Sequence, residues 1–416
     1  MSLAPETPAR NEGSGLWSTA SASQLVLAYD NVIGFALVGS HATPEGVPCI
    51  RAFDLFNRRV AWEALHGEAW LSAVGRGTLA VRGRNVYITH ERSLYVLDLL
   101  TGRPKWKVEL TATVADLAGY RESSGLQIFD PFSPDGRGAV LVLSVDNVLA
   151  SFDRDTGAPL WQRQLDHPPP IAAVPGEGVV AALVGSKLEV INPAYAQSIA
   201  VIGKEFGRVD VEGKWLVARV MGAEDGVALV DPRTSRLMAY EKVDGISYDR
   251  PSTTSGEKIF CISDDGDRIR VVPNGPNVPV LVPNYKAQAL KIGGPTLFAL
   301  LAHTGPQRMR RVVALDPATL AIRFDCGEIG TTPSLDEDQQ IQTDDHAAVF
   351  VSSPTNDDNA CELRAVEVQT GRALWKRSVG EWFGHYFLGG YLVFYTRDKI
   401  GVLRPDDGRT IAEFPF

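Results

Sequence analysis

Short apolar runs recur along almost the whole chain, separated by polar segments rich in Gly, Pro, Asp and Asn. Examples are FALVGS at 35–40, NVYITH at 85–90 and AVLVLS at 139–144. Weaker runs at 23–30, 69–75 and 115–121 are predicted as first strands that precede them. These runs are rich in β-branched and aromatic residues and alternate only in part, which is typical of strands. Neither a helical period nor an alternation of strands with helices is present. The pattern therefore predicts an all-β chain with one folded domain.

One unit repeats within this pattern. In three segments an acidic residue precedes a tryptophan by eight positions, with Thr-Gly between them. These segments contain Asp98, Gly102 and Trp106; Asp153, Gly157 and Trp161; and Glu367, Gly371 and Trp375. Two partial copies keep Asp54 with Trp62 and Asp316 with Phe324. Asp and Thr cap tight turns, and Gly accepts a positive φ, so the unit predicts a hairpin whose aromatic residue opens the next strand.

The repeat has a regular period. Degenerate copies occupy 187–203, 226–242, 267–282 and 399–414, and the anchor residues of successive copies lie 37 to 55 residues apart. A period near 44 is that of a four-stranded propeller blade. The tally favours nine units over eight. We expect a single β-propeller of about 8–9 four-stranded blades over residues 16–416, after a disordered tail at 1–15.

The D-x-x-T-G-x-x-x-W pattern resembles the tryptophan-docking motif of PQQ-like repeat propellers, whose blades have four strands as in WD40-like repeats. The resemblance implies that Trp62, Trp106, Trp161 and Trp375 dock neighbouring blades together. This family includes quinoprotein dehydrogenases and the assembly lipoprotein BamB. The chain departs from both patterns, because no two cysteines are adjacent and the first is Cys49. A typical quinoprotein dehydrogenase or BamB is therefore not expected, and no cofactor is predicted.

The composition of the chain excludes several classes of function. The 416 residues carry 41 basic and 50 acidic side chains, for a net charge of −9. Such a chain has no broad positive field for nucleic acid or for a membrane surface. The four cysteines lack zinc-site spacing, and no signal peptide or membrane span is recognisable. We expect a bacterial, cytoplasmic protein, with a periplasmic location only if a signal peptide had been removed.

Catalytic signatures are missing from the sequence. GxSxG, HExxH and P-loop patterns are absent, and the seven histidines are scattered. Acidic clusters at 264–267 and 356–359 are interpreted as ordinary turns, and the basic run at 307–311 as a solvated loop end. We predict no catalytic, cofactor-binding or metal-binding residue. The enzyme assignment stays open, with a non-catalytic protein favoured.

Long connections provide the candidate binding surface. Three of them, 40–48, 303–310 and 353–361, join second to third strands and therefore emerge on one face of a ring. A further insertion spans 122–138. The candidate partner-binding residues are His41, Glu45, Phe129, Phe132, Arg308, Arg310, Asp357 and Asp358. The competing interpretation is neutral variation in loop length.

These observations favour a non-catalytic protein-interaction scaffold or assembly subunit that binds one or more protein partners. One alternative is a quinone- or metal-dependent oxidoreductase with its site in the propeller funnel. A second alternative is a sensor that binds a small ligand or a glycan. The identity of the partner, the oligomeric state, the mode of ring closure and the binding face stay open at this point.

Overall fold

A computed structural model describes residues 25–30, 34–42, 48–54, 57, 59–66, 79–90, 93–109, 126–129, 138–144, 147–166, 171–174, 178–184, 187–195, 198–202, 206–212, 215–220, 226–232, 234, 236–242, 253–280, 282–305, 309–330, 340–353, 361–396 and 399–415. Within these ranges thirty-six strands form nine four-stranded sheets, without a helix. The predicted all-β propeller is confirmed. The tail at 1–15 lies outside the described residues.

The sheets, named I to IX, follow the chain. Sheet I contains β1 (Leu25–Asp30), β2 (Gly34–Ala42), β3 (Pro48–Asp54) and β4 (Arg59–Ala64). Sheet II contains β5 (Leu79–Arg82), β6 (Asn85–His90), β7 (Ser93–Asp98) and β8 (Pro104–Glu109). Sheet III contains β9 (Leu126–Phe129), β10 (Ala139–Ser144), β11 (Val148–Asp153) and β12 (Pro159–Gln164). Sheet IV contains β13 (Ile171–Val174), β14 (Val179–Val184), β15 (Lys187–Ile191) and β16 (Ser198–Ile202). Sheet V contains β17 (Phe206–Glu212), β18 (Trp215–Val220), β19 (Gly226–Asp231) and β20 (Arg236–Lys242). Sheet VI contains β21 (Thr253–Ser255), β22 (Lys258–Ile262), β23 (Arg268–Val272) and β24 (Asn277–Pro279). Sheet VII contains β25 (Tyr285–Gly293), β26 (Thr296–His303), β27 (Arg310–Leu315) and β28 (Ile322–Gly330). Sheet VIII contains β29 (Ile341–Thr343), β30 (Ala347–Ser352), β31 (Cys361–Glu367) and β32 (Ala373–Gly380). Sheet IX contains β33 (Trp382–Leu388), β34 (Tyr391–Thr396), β35 (Lys399–Leu403) and β36 (Thr410–Pro415).

The four strands of each sheet, a to d in chain order, pair antiparallel with their sequence neighbours. Alternating direction gives every sheet two distinct ends. The turns between a and b and between c and d lie at one end, named here the c–d end. The connections between b and c lie at the opposite end, named the b–c end, where strand a also begins and strand d ends. This geometry puts the three long connections predicted from the sequence at the b–c ends of sheets I, VII and VIII.

The core lies between successive sheets. Trp62 of sheet I packs in one cluster with Val86 of sheet II, and Leu363 of sheet VIII packs in another with Phe394 of sheet IX. Second strands carry much of this burial, and β30 is buried at every position. A strand covered on both faces has no polar face to alternate with, which explains the unbroken apolar runs in the sequence. No helix of the described chain has the length and apolar character needed to cross a membrane.

The weakest repeat units also form sheets. Residues 187–203 and 267–282 supply the third and fourth strands of sheets IV and VI, and sheet IX ends with its own fourth strand, β36. Two predicted first strands, 69–75 and 115–121, lie outside the described residues; β5 and β9 hold those places in their sheets.

One predicted loop contains a strand. The sequence assigns Phe129 to an insertion at 122–138, but Phe129 is the last residue of β9 and lies opposite Leu141 of β10. This assignment is wrong, because the short run Leu126–Phe129 combines β-branched and aromatic residues in register with an apolar second strand.

Candidate functional site

The c–d turns show the hydrogen bonding that the Asp-x-x-Thr-Gly pattern requires. The Asp98 Oδ1 atom accepts hydrogen bonds from the Thr101 backbone N–H (3.0 Å) and hydroxyl (2.9 Å). The Gly102 N–H donates to the Asp98 carbonyl (2.8 Å), and Gly102 has a φ of +67°. Few residues other than glycine adopt this backbone conformation. The turn around Asp153 repeats the same bonds.

Two of the turn carboxylates, Asp153 and Asp316, are stabilised in their charged form. Burial raises the pKa of Asp153, but the hydrogen bonds from Thr156 and from the Asp155 N–H outweigh it and lower the pKa overall. The Thr319 backbone and side-chain donors lower the pKa of Asp316. A carboxylate that accepts several N–H and O–H bonds favours ionisation, so these turns are most stable when the acid is charged.

An aromatic residue from the preceding sheet covers each of the turns at Asp98, Asp153 and Glu367. The Trp62 indole lies on Gly102 so closely that an added Cβ would stand 2.4 Å from its Cε3 atom. The Trp62 Nε1 donates to the Leu99 carbonyl at 2.7 Å. Glycine is thus required twice at this position, by its backbone conformation and by the contact.

The same docking recurs around the molecule. The donor–acceptor pairs are Trp106 Nε1 with the Arg154 carbonyl (2.8 Å), Trp161 Nε1 with the Pro193 carbonyl (2.9 Å) and Trp375 Nε1 with the Pro405 carbonyl (2.7 Å). In every case the acceptor is the carbonyl of the residue that follows the first residue of the turn. Trp106 and Trp375 also cover Gly157 and Gly408. These contacts join consecutive sheets, so the c–d ends serve to hold neighbouring sheets together.

Sheet VII docks without an indole, because its aromatic residue is Phe324. Its ring covers Gly371 of sheet VIII, but it has no N–H to donate. The Thr296 hydroxyl instead donates to the Val368 carbonyl at 2.7 Å. Arg323 Nη1 in turn donates to the Thr296 hydroxyl at 2.8 Å. No motif in the sequence identifies Thr296, since it reaches this carbonyl from the start of the second strand of its own sheet.

The opposite end carries a polar cluster in sheet VII. Arg311 donates through Nε to Asp325 Oδ2 at 2.9 Å, and the two side chains also pair through the Arg311 Nη2 atom. The Tyr285 hydroxyl donates to Glu328 Oε1 at 2.9 Å, and its ring meets His303 edge-on at 5.1 Å between centroids. These five residues come from all four strands, so the cluster is held by a rigid sheet.

The electrostatics of this cluster follow from its pairing. Burial raises the pKa of Asp325, but the Arg311 guanidinium and the Gly327 N–H outweigh burial and lower it overall. Burial and the neighbouring Glu328 carboxylate raise the pKa of Tyr285. Neither group titrates near neutral pH. Asp325 therefore presents a fixed negative charge, and Tyr285 presents a neutral hydroxyl.

The polar cluster continues into sheet VIII. Lys376 Nζ lies 2.7 Å from Glu362 Oε2, and Arg364 Nη1 reaches the Glu328 carbonyl of sheet VII at 3.5 Å. Charges of both signs therefore alternate across the b–c ends of two successive sheets.

The predicted partner-binding residues occupy different kinds of position in the structure. His41 lies in β2 beside Cys49 of β3, and the side chain of Phe129 is not described. Arg310 is a half-buried first residue of β27 whose guanidinium donates to Gln340. The interpretation of 307–311 as a solvated loop end is therefore wrong at this residue, because strand pairing orders it. Glu45, Phe132, Arg308, Asp357 and Asp358 lie outside the described residues.

The family resemblance is confirmed by comparison. Residues 49–222 match a family model described as "Outer membrane protein assembly factor BamB". Over these residues the chain resembles the PQQ-like repeat propellers. No curated protein matches the sequence.

Comparison with solved structures finds similarities at low sequence identity. A structure of BamB from Moraxella catarrhalis is 16% identical, with a TM-score of 0.35 over 67% of this chain and 79% of that one. A europium-containing methanol dehydrogenase is 12% identical, with a TM-score of 0.39 over 90% and 82%. A eukaryotic initiation factor is 9% identical, with a TM-score of 0.59 over 95% and 96%. At this identity the last similarity shows the fold alone.

Proposed function

We propose that this PQQ-like repeat propeller is a non-catalytic protein-interaction scaffold whose b–c end binds a protein partner. The observation that carries the proposal is the division between the two ends of the sheets. The c–d turns are covered by aromatic residues of the preceding sheets. The b–c end combines long connections with a polar cluster that, among the described residues, lies apart from the aromatic docking contacts. Binding surfaces commonly lie on loops that a rigid scaffold positions.

The chemistry of the b–c end favours a protein partner. Arg311, Asp325, Glu362 and Lys376 place positive and negative groups side by side, and each is paired within the chain. A mixed-sign surface with ordered pairs suits complementary charges on another protein better than a polyanion. Tyr285 adds an aromatic group of the kind that is enriched in interfaces.

We further propose that the nine sheets are nine blades and that sheet IX packs on sheet I. Arg51 of sheet I is buried, although its strand neighbours Ile50 and Ala52 face sheet II. Val393 of sheet IX is likewise buried, opposite the face that meets sheet VIII. Each of these faces needs a covering layer, and one closing interface supplies both. Closure would bring the sheet I connection toward those of sheets VII and VIII.

The test is affinity purification of the tagged full-length chain from its native cells, with mass spectrometry of proteins and small molecules. Two doubly substituted variants of unchanged net charge are compared. One combines Arg308→Glu with Asp358→Lys in the b–c connections, and its control combines Arg103→Glu with Asp155→Lys at c–d turns. A stoichiometric protein partner that is lost only with the first variant supports the proposal.

Other outcomes point to the alternatives. A chain that carries a quinone or a redox metal, and no protein, supports an oxidoreductase with its site in the funnel. A small molecule or glycan in stoichiometric amount supports a sensor. A partner that is retained by the b–c variant and lost by the control variant contradicts the assignment of the binding end. Cell fractionation tests the cytoplasmic location that the sequence predicts.

A further inference from the structure

Three side chains with metal-ligand chemistry meet at the b–c end of sheet I. Cys49 lies at the start of β3, Glu63 lies near the end of β4, and His66 follows two residues after β4. The register pairs Arg51 with Glu63, so Cys49 and Glu63 lie on the same face of the sheet. Strand pairing, rather than sequence spacing, brings these residues together.

The distances suit one ion. The three ligand atoms, Cys49 Sγ, a Glu63 carboxylate oxygen and a His66 ring nitrogen, all lie within 4.8 Å of one another. His66 Nε2 is 4.0 Å from Glu63 Oε2. Two ligands bound about 2.1 Å from a tetrahedral ion stand about 3.4 Å apart, so a movement of roughly 0.6 Å closes this pair. The His66 side chain is 51% exposed and has room for it.

The hydrogen bonds from Arg51 to Glu63 leave the second carboxylate oxygen of Glu63 facing the other two ligands. Arg51 holds Glu63 Oε1, at 2.8 Å from Nε and 2.6 Å from Nη2. Glu63 Oε2 is then the oxygen on the His66 side. The Arg51 pair also fixes the Glu63 rotamer, as second-layer partners of metal ligands do.

The backbone turns His66 toward this cluster. Leu65, the residue between β4 and His66, has a φ of +55°. A branched side chain seldom adopts this left-handed conformation, and such strain is concentrated at functional sites. In an extended continuation of β4, His66 would project to the face opposite Glu63.

We propose that Cys49 Sγ, Glu63 Oε2 and His66 Nε2 bind one Zn²⁺ ion, with the fourth position open to solvent. A set of one thiolate, one imidazole and one carboxylate is a borderline-soft donor set that suits Zn²⁺ and disfavours Ca²⁺ and Mg²⁺. Cys49 is fully buried, whereas Glu63 and His66 are accessible, so the ion enters from the carboxylate and imidazole side. On binding, the Cys49 thiol releases its proton to solvent and its sulfur electron pair forms the metal bond.

The test uses Co²⁺ and Zn²⁺ with the purified, metal-free full-length chain. We expect one equivalent of Co²⁺ to produce a thiolate-to-cobalt charge-transfer band, and Zn²⁺ to displace it. Cys49→Ser should abolish the band, and His66→Ala should weaken binding by more than about tenfold. The matched controls Cys326→Ser and His346→Ala should bind as the wild type does.

Each outcome decides the proposal. If Cys49→Ser does not fold, the exposed His66→Ala variant and its His346→Ala control still give the answer. An unchanged affinity in His66→Ala, or a wild-type chain without the charge-transfer band, overturns the site. This result is independent of partner binding, since it is measured on the purified chain alone.

Discussion

Replacing Gly157 by alanine tests the docking of one sheet on the next. Gly157 has a φ of +70°, and an added Cβ would stand 2.5 Å from the Trp106 Cδ2 atom and 2.7 Å from Cε3. Trp106 is itself anchored, because its Nε1 donates to the Arg154 carbonyl. The methyl group can be accommodated only if the indole moves away, which strains that hydrogen bond.

The expected loss has two parts. A left-handed backbone costs a non-glycine residue about 1–2 kcal/mol. Overpacking of a filled interface adds about 1–3 kcal/mol. Gly157→Ala should therefore lower the free energy of unfolding by about 2–5 kcal/mol in total.

The chain offers a matched control. Gly327 also has a positive φ, +84°, but an added Cβ there meets no atom within 4 Å. Gly327→Ala should cost only the backbone part, about 1–2 kcal/mol. Urea unfolding followed by circular dichroism compares the two variants under identical conditions. In a Trp106→Ala background, Gly157→Ala should cost no more than the Gly327 control, because the clash is gone.

Equal losses for Gly157→Ala and Gly327→Ala would refute the reasoning, since the indole contact would then contribute nothing. A full Gly157 penalty in the Trp106→Ala background would refute it as well.

Three further predictions concern single groups. Thr296→Val leaves the buried Val368 carbonyl without its donor and should cost about 1–3 kcal/mol in urea unfolding; adding Phe324→Trp should recover part of that loss by restoring an indole N–H. Burial lowers the pKa of His385 to about 4 from 6.5, so the unfolded chain alone takes up this proton between those values. Stability should fall by up to about 3 kcal/mol from pH 6.5 to 4, and His385→Gln should flatten that slope in thermal melts. Asp153 has a lowered pKa, so its contribution is complete above the ordinary value of 3.8 and is lost as the pH falls through the folded-state pKa; Asp153→Asn should remove the corresponding acid-side slope.

The repeat explains why the fold is legible in the sequence. The turn at Asp98 needs a capping oxygen, a threonine and a glycine at fixed spacing, and Trp106 must begin the next strand. Because these interactions join residues that are close in sequence, they impose a spacing that can be recognised in the sequence. First strands have no such motif. The run at 23–30 contains β1, whereas β5 and β9 lie outside the runs predicted at 69–75 and 115–121.

The candidate sites depend on contacts between distant positions. Tyr285, Arg311 and Glu328 meet only because four strands pair in one register. Cys49 and His66 likewise meet through the β3–β4 pairing and the left-handed Leu65. Neither cluster has a characteristic spacing, so a motif search passes over both.

The most direct test of the scaffold function is hydrogen–deuterium exchange of the full chain with and without the captured partner. Partner binding at the b–c end should slow exchange in peptides that span 40–48, 303–310 and 353–361, and should leave exchange unchanged in the c–d turns around Asp98 and Asp153. Protection confined to the c–d turns, or to the first strands of the sheets, would contradict this assignment.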